Sequence, residues 1–145
     1  MGSVDRNILV VDDCTVSARI LEQTLLGTGF TVTLARNGRE AWEATQVTQF
    51  DIIVTDHQMP EMSGGELCEK LRKTEGYAET PIVMITSKGF ELDLRHLQEV
   101  LHVSAVLMKP FSAKEVRRVV EDCAYRGQLF ATAEGAAVTD AGWRT

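Results

Sequence analysis

Several polar residues that could carry chemistry follow directly after short apolar runs of the sequence. They are Asp12 and Asp13, Asp56, Thr86 with Ser87, and Lys109 with Pro110. If the apolar runs are parallel strands, their carboxyl ends meet at one edge of an open sheet, where such sheets carry their working sites. We therefore expect these side chains to converge, although they come from four separate segments.

The expected cluster has the composition of a magnesium-dependent phosphoryl-transfer site. Clustered carboxylates raise one another's pKa unless a cation lies among them, and Mg²⁺ prefers a few carboxylate oxygens as ligands. No His or Cys joins the set at ligand spacing, which disfavours zinc. A carboxylate held against such a cation can attack a phosphoryl donor, and Lys109 and the Thr86 hydroxyl would neutralise the transferred group. Each residue alone is more often structural, so the joint placement carries the hypothesis.

Five β-rich runs must position these residues. They are Ile8–Val11, Thr31–Leu34, Asp51–Val54, Ile82–Ile85 and Ala105–Met108. Apart from Asp51 at the start of the third run, four are continuously apolar, as strands buried on both faces are, whereas the run from Thr31 alternates and suits an edge strand. About a dozen or more residues separate consecutive runs, which is enough for a crossover helix.

Helix starts are indicated where a capping residue precedes a glutamate by three positions. These pairs are Asn37 with Glu40, Ser63 with Glu66, and Ser112 with Glu115. Gly27 is expected to end a first helix whose apolar face is Val16, Ile20, Leu21 and Leu25. Two further apolar stripes predict the last two helices: Phe90, Leu94, Leu97 and Leu101, and then Val116, Val119, Val120 and Cys123. Five βα units predict an α/β fold with a parallel sheet and helices on both faces.

Composition excludes several classes of protein. The 145 residues, 44% hydrophobic and 25% charged, fit one domain, and the net charge of −6 argues against nucleic-acid binding. No apolar run is long enough for a membrane span, and the first residues lack the apolar core of a secretory signal. The three cysteines form no close pair and are expected to be reduced, so we expect a cytoplasmic protein. The segment after Tyr125 is expected to be a linker-like tail or, as a second possibility, a docking segment.

The assembled motifs resemble the receiver domain of two-component response regulators. The resemblance rests on Asp12-Asp13, Asp56, Thr86 and Lys109-Pro110-Phe111, and on the loop Met59–Gly64, where Ser63 replaces the usual Asp of the family. It covers roughly residues 6–125, leaving 126–145 as tail. It implies a flavodoxin-like (βα)₅ fold with strand order 2-1-3-4-5.

The resemblance also implies a role for each matching residue. Asp56 would be the phosphoacceptor, and Mg²⁺ (or Mn²⁺) would be held by Asp12, Asp13, Asp56 and the backbone carbonyl of Gln58. Thr86 would be the switch hydroxyl, and Lys109 would pair with the phosphate and precede a cis bond to Pro110. The residues expected to flank the site are His57, Ser87, Lys88 and Pro110.

The implied function is a phosphorylation-dependent signalling switch and not a turnover enzyme. The expected donor is a histidine kinase or phosphotransfer protein, and the output is a changed surface for an unidentified protein target, on a monomer or weak homodimer. Val106 stands where receivers commonly have an aromatic, so switching is expected to run through Thr86, the hinge at Gly89 and the face formed by the last two helices and the fifth strand.

Three alternatives remain open from the sequence. The chain is a receiver-fold fragment of a larger regulator or hybrid histidine kinase, a phosphate-independent interaction module, or a Mg²⁺-dependent aspartyl-phosphate phosphohydrolase. The last usually has a second Asp two residues after its nucleophile, where this chain has Gln58.

Overall fold

Strands and helices alternate along the chain. The computed structural model describes residues 6–87, 95–126, 130–131 and 137–138. The main elements are β1 (Arg6–Val11), α1 (Thr15–Leu26), β2 (Phe30–Ala35), α2 (Gly38–Val47), β3 (Ile52–Asp56), α3 (Gly64–Arg72), β4 (Ile82–Ser87), β5 (Ala105–Lys109) and α4 (Ala113–Arg126). A short π-helix, His96–Val100, precedes β5, and the two-residue strands β6 (Phe130–Ala131) and β7 (Ala137–Val138) pair antiparallel near the end of the chain.

The first five strands form one parallel sheet in the order β2-β1-β3-β4-β5. This confirms the α/β fold and the strand order expected from the sequence. The alternating strand β2 lies at an edge, and its middle positions are partly exposed, whereas every residue of β3 is buried. Because β1 and β3 lie inside the sheet and bury both faces, their central stretches, Ile8–Val11 and Ile52–Val54, are continuously apolar.

Successive strand residues point to opposite faces, and each face has its own core. On one face Leu9, Ile53 and Met84 pack with α2, α3 and the π-helix. On the other, Ile8 and Ile52 pack with α1 and α4. The two helical layers thus hold the strand ends at fixed relative positions.

The predicted apolar face of α1 is partly wrong. Leu21 and Leu25 are buried as expected, but Ala18 completes the buried face, whereas Val16 and Ile20 are 67% and 54% exposed. At 100° per residue, positions 18, 21 and 25 share one side of a helix, and positions 16 and 20 share nearly the opposite side. The sequence offered two apolar stripes, and the core uses only one.

The predicted helix starts are confirmed. Ser63 and Glu66 form a reciprocal capping box, and Ser112 and Glu115 exchange the same two hydrogen bonds. Asn37 accepts from the Glu40 backbone N–H. Gly27 directly follows the end of α1.

The penultimate predicted helix is described only in part. Leu97 and Leu101 are buried as expected, but the described segment is a π-helix of five residues. Lys88, Gly89, Phe90 and Leu94 lie outside the described residues, as does most of the tail after Arg126. The division into a domain at 6–125 and a tail at 126–145 therefore stays a prediction.

Arg72 connects the loops at the amino ends of the strands, on the edge of the sheet opposite their carboxyl ends. Its guanidinium donates to three backbone carbonyls, those of Tyr77 (2.8 Å), Leu101 (2.8 Å) and His102 (2.9 Å). His102 has a left-handed backbone with φ of 54°. This fixed fork of donors ties α3 to the connection that leads into β5. In the part of the chain that the structure describes, no helix has both the length and the apolarity of a membrane span.

Candidate functional site

The predicted site residues come together at the carboxyl ends of the four strands β1, β3, β4 and β5. Asp12 follows β1 directly, and its backbone N–H donates to Ala35 at the end of β2 (3.0 Å). Asp56 is the last residue of β3 and pairs with Ile85. Ser87 and Lys109 end the two remaining strands and pair with each other. The register of the sheet therefore fixes which side chains meet.

Three carboxylates form the centre of the site. One oxygen atom from each of Asp12, Asp13 and Asp56 lies within 4.8 Å of the other two. Asp12 and Asp56 are buried, whereas Asp13 is exposed. The Nζ atom of Lys109 lies 3.7 Å from a carboxylate oxygen of both Asp12 and Asp56. One lysine thus faces two buried acids, and the third acid opens the cluster to solvent.

The two carboxylate oxygens of Asp12 have different surroundings: one accepts a hydrogen bond, and the other faces the ammonium of Lys109. Its Oδ1 accepts a hydrogen bond from the Cys14 backbone N–H (2.9 Å). Its Oδ2 is buried and accepts no hydrogen bond from any residue within the described ranges, but it lies 3.7 Å from the Nζ atom of Lys109. A buried carboxylate oxygen in this state is costly unless a positive charge is near. The oxygen-only donor set of Asp12, Asp13 and Asp56 fits a hard divalent cation and could hold one.

The environment of Asp56 shifts its protonation. The pKa of this carboxyl is raised from 3.8 to about 6, chiefly because an ion in the interior loses hydration. The negative charges of Asp12 and Asp13 contribute to the same increase, and Lys109 acts in the opposite direction. The group is thus a more basic oxygen than an ordinary aspartate, yet is mostly ionised near pH 7.

Gln58 extends its side chain across the end of β4. Its amide oxygen Oε1 accepts a hydrogen bond from the Ser87 backbone N–H (2.9 Å) and a longer one from the Thr86 hydroxyl (3.4 Å). Thr86 is only 2% exposed, so its hydroxyl has few alternative acceptors. The predicted switch hydroxyl therefore belongs to the site, but it is engaged by a neighbouring side chain.

Gly64 allows α3 to begin directly against Asp56. A Cβ at this position would overlap the backbone carbonyl of Asp56 and lie 2.9 Å from Cα of His57. The Gly64 N–H donates to the His57 carbonyl (2.9 Å). The first turn of α3 thus limits how the end of β3 can move.

The other flanking residues are placed as follows. A Cβ on Gly65 would lie 3.3 Å from His57 Cε1, so the imidazole lies against the first turn of α3, and burial lowers its pKa. The bond between Lys109 and Pro110 is cis, as expected. Val106 is buried, and Lys88 lies outside the described residues.

Sequence reasoning missed two features of this site. It assigned Gln58 a metal-binding backbone carbonyl, whereas the hydrogen bonds described above belong to its side chain. It also gave no role to Gly64, although the pair Gly64-Gly65 directly after the capping residue Ser63 is a signal of close backbone approach.

Comparison with known proteins gives concordant matches. The family described as "Response regulator receiver domain" matches residues 8–121. A probable transcriptional regulator, ycf29, of Porphyra purpurea is 34% identical over 123 residues, which are 85% of this chain and 58% of that protein. The chain therefore spans little more than half the length of that relative.

Two further matches are nearly the size of this chain. A chemotaxis protein CheY homolog of Campylobacter jejuni is 34% identical over 132 residues, 90% of this chain and 98% of that protein. The solved structure of the chemotaxis response regulator CheY4 of Vibrio cholerae superposes with a TM-score of 0.74 at 28% identity, covering 81% of this chain and 98% of that one.

Proposed function

The chain belongs to the response regulator receiver family, the phosphorylation-dependent switches of two-component signalling, and we propose that Asp56 is the residue that accepts the phosphoryl group. Such a domain is a component of a signalling protein and not a turnover enzyme. The identity of the acceptor, the cation and the partners are the parts that we propose here.

One observation carries the assignment of Asp56. Asp56 and Asp12 are both buried and both lie 3.7 Å from Lys109, but Asp56 is the one that ends a central strand, with the other two carboxylates beside it. Asp12 is also buried, but its Oδ1 is already engaged by the Cys14 N–H. Asp13 is exposed and lacks the neutralising lysine contact. Asp56 therefore combines a raised basicity with a cation beside the oxygen that would react.

The proposed step is a displacement at phosphorus. A carboxylate oxygen of Asp56 forms the new O–P bond, and the bond from phosphorus to the donor breaks. The electron pair of that bond leaves with the donor, as imidazole nitrogen from a phosphohistidine or as acetate from acetyl phosphate. Lys109 stays within reach of the acyl phosphate and offsets its charge. The attack needs the ionised carboxylate, which prevails above about pH 6.

We propose Mg²⁺ as the cation, held by Asp12, Asp13 and Asp56, with the Gln58 backbone carbonyl as a further ligand. Mg²⁺ bound there would neutralise charge on the phosphoryl oxygens and align the donor with Asp56. Two observations support a cation in the working state: three carboxylates share the charge of Lys109, and the buried Asp12 Oδ2 accepts no hydrogen bond within the described residues. Mn²⁺, which accepts the same oxygen ligands, would substitute for it.

We propose that the physiological donor is a histidine kinase or a phosphotransfer protein, and that the output is a changed surface for a protein target. The match to ycf29 covers 58% of that protein. It supports the alternative in which this receiver is part of a larger regulator.

Intact-mass analysis with acetyl phosphate and Mg²⁺ tests the acceptor. The full chain should gain one phosphoryl group that hydroxylamine removes, and the Asp56→Asn variant should gain none. Asp51→Asn is the matched control, because Asp51 precedes the same strand at its opposite end, where its carboxylate accepts from the Asn7 N–H (2.7 Å), a bond that asparagine can keep. Equal phosphorylation of the Asp56→Asn variant and the unmodified chain would refute the assignment.

A further inference from the structure

The Gln58 side chain occupies two hydrogen-bond donors at the end of β4. Its Oε1 accepts from the Ser87 N–H at 2.9 Å and from the Thr86 hydroxyl at 3.4 Å. A backbone N–H can only donate, so the atom facing it must be the amide oxygen and not the amide nitrogen. The contact spans 29 positions of the chain and joins the loop after β3 to the last residue of β4.

Ser87 needs this contact because the strand ladder stops just before it. The His57 N–H donates to the Ile85 carbonyl (2.8 Å), and in a parallel ladder the next bond would run from the Ser87 N–H to the His57 carbonyl. That carbonyl instead accepts from Gly64 at the start of α3 (2.9 Å). The Ser87 N–H is therefore the first donor beyond the ladder, and it points toward the loop that follows Asp56.

A phosphoryl group on Asp56 would bring strong acceptors to the same place. Asp56 pairs with Ile85, so Thr86 and Ser87 are the next residues along β4 beyond the reacting carboxylate. Phosphoryl oxygens carry more negative charge than an amide oxygen and form stronger hydrogen bonds with the same donors. One N–H cannot donate a full hydrogen bond to both acceptors at once.

We propose that the Gln58 side chain is a built-in competitor of the phosphoryl group, which holds Thr86 and Ser87 in the unphosphorylated arrangement and must leave when Asp56 is modified. This inference rests on the proposed phosphorylation of Asp56 and goes beyond it by assigning Gln58 as a positioning residue. The hydrogen bonds of Gln58 stabilise the unphosphorylated arrangement of Thr86. They therefore reduce the free-energy gain when the phosphoryl group takes over the same donors, and so they set how readily the switch turns on.

Beryllofluoride, which mimics the phosphoryl group, provides the test in the full chain with Mg²⁺. Gln58→Met preserves the length of the side chain but removes the amide acceptor. We expect it to bind beryllofluoride about two- to tenfold more tightly, which corresponds to the loss of one competing hydrogen bond. The Ser87 amide should exchange faster with solvent in the unliganded Gln58→Met variant.

Gln58→Glu is the matched control, since its carboxylate accepts from the same donors at the same reach. It should keep the Ser87 amide protected and bind beryllofluoride no more tightly than the unmodified chain. Because the added charge of Gln58→Glu repels beryllofluoride under either role, the deciding result is the affinity of Gln58→Met, which a merely structural Gln58 would leave unchanged or lower.

Beryllofluoride affinity in Gln58→Met equal to or below that of the unmodified chain, or unchanged exchange at Ser87, would overturn the proposal. An Asp56→Asn variant that still binds beryllofluoride would contradict the proposed acceptor itself. The two failures are therefore distinguishable.

Discussion

At the scale of single residues, burial has a measurable consequence for Asp56. A carboxyl whose pKa is raised on folding holds its proton more tightly in the folded state than in the unfolded chain. Its ionisation therefore opposes folding, and the opposition develops as pH rises from about 4 to about 6. Lys109 reduces the effect but does not reverse it.

Without metal, the free energy of unfolding of the unmodified chain should fall relative to that of Asp56→Asn as pH rises through this window. Because the pKa of Asp56 rises from 3.8 to about 6 on folding, the loss of unfolding free energy is at most about 3 kcal/mol. The loss is complete above about pH 6. Urea unfolding of both proteins between pH 4 and 7 measures the difference. Parallel pH profiles would show that Asp56 is not the titrating group.

Gly64 and Gly65 differ in a way that substitution can measure. In Gly64→Ala the new methyl group would overlap the backbone of Asp56, whereas in Gly65→Ala it would meet only the edge of the His57 ring at 3.3 Å. Overpacking against backbone typically costs about 1–3 kcal/mol, and alanine inside a helix gains roughly 0.5–1 kcal/mol over glycine. We expect Gly64→Ala to lower the free energy of unfolding and to slow phosphorylation, and Gly65→Ala to do neither. Thermal unfolding and intact-mass kinetics give the two readouts.

The residues that the sequence identified are those whose chemistry is visible in their type. Aspartates and a lysine after apolar runs could be placed because strand ends converge in this class of fold. The side-chain role of Gln58 could not, because it depends on the ladder ending at His57 and on Gly64 taking the carbonyl that Ser87 would otherwise use. Which donor takes the His57 carbonyl depends on contacts between residues far apart in the sequence, and these are visible only in the structure.

At the scale of elements, α1 presents an apolar stripe that the core does not use. Val16 and Ile20 lie one turn apart and are more than half exposed, and α1 begins two residues after Asp13. A protein that delivers a phosphoryl group to Asp56 must cover the surface around the site. We therefore expect this stripe to contact the donor protein.

The double variant Val16→Asp with Ile20→Asp should slow phosphorylation by the donor protein at least about tenfold, the effect of losing roughly 1.4 kcal/mol of contact energy. The rate of phosphorylation by acetyl phosphate, which needs no docking surface, should stay within about twofold of the rate for the unmodified chain. Val47→Asp is the control, because it also places a charge on an exposed apolar residue (Val47 is 86% exposed), but at the end of α2 and not on α1. Equal losses with both donors would mean that the double variant damages the site itself.

Helix periodicity explains both the success and the error in predicting these elements. The stripe of α4 is unambiguous, and Val116, Val119, Val120 and Cys123 are all buried. In α1, by contrast, apolar residues occupy both sides, so the hydrophobic pattern alone does not identify the buried one. The π-helix was also beyond prediction, since its extra residue per turn leaves no distinct signal in an apolar stripe as short as Leu97 and Leu101.

At the scale of the whole molecule, the site reports on the integrity of the fold. Its residues come from four strands joined by separate crossovers, so unfolding scatters the carboxylates and would abolish the cation binding that we propose for them. A ligand that binds only the folded state stabilises it by mass action.

Mg²⁺ at 100 times its dissociation constant should add about 2.7 kcal/mol to the free energy of unfolding. For a chain of this length that corresponds to a rise in Tm of roughly 5 to 10 °C. Asp13→Asn should show a higher Tm without metal, because one repelling charge is gone, and should need more Mg²⁺ for the same rise. Asp51→Asn, remote from the cluster, should respond as the unmodified chain does. Thermal unfolding across a Mg²⁺ titration separates these outcomes, and identical responses from all three proteins would exclude Asp13 as a ligand.

The charges of the three carboxylates and Lys109 also imply that phosphorylation depends on two factors, the phosphoryl donor and a bound cation. Lys109 alone leaves the cluster with a net negative charge, which opposes the arrival of a phosphoryl group unless a cation has bound first. With the phosphoacceptor and the cation that we propose, output would require both an active kinase and bound Mg²⁺. A cell depleted of magnesium would lose its response to the stimulus even while its kinase remained active. The strength of the response would then depend both on the stimulus and on the Mg²⁺ concentration of the cell.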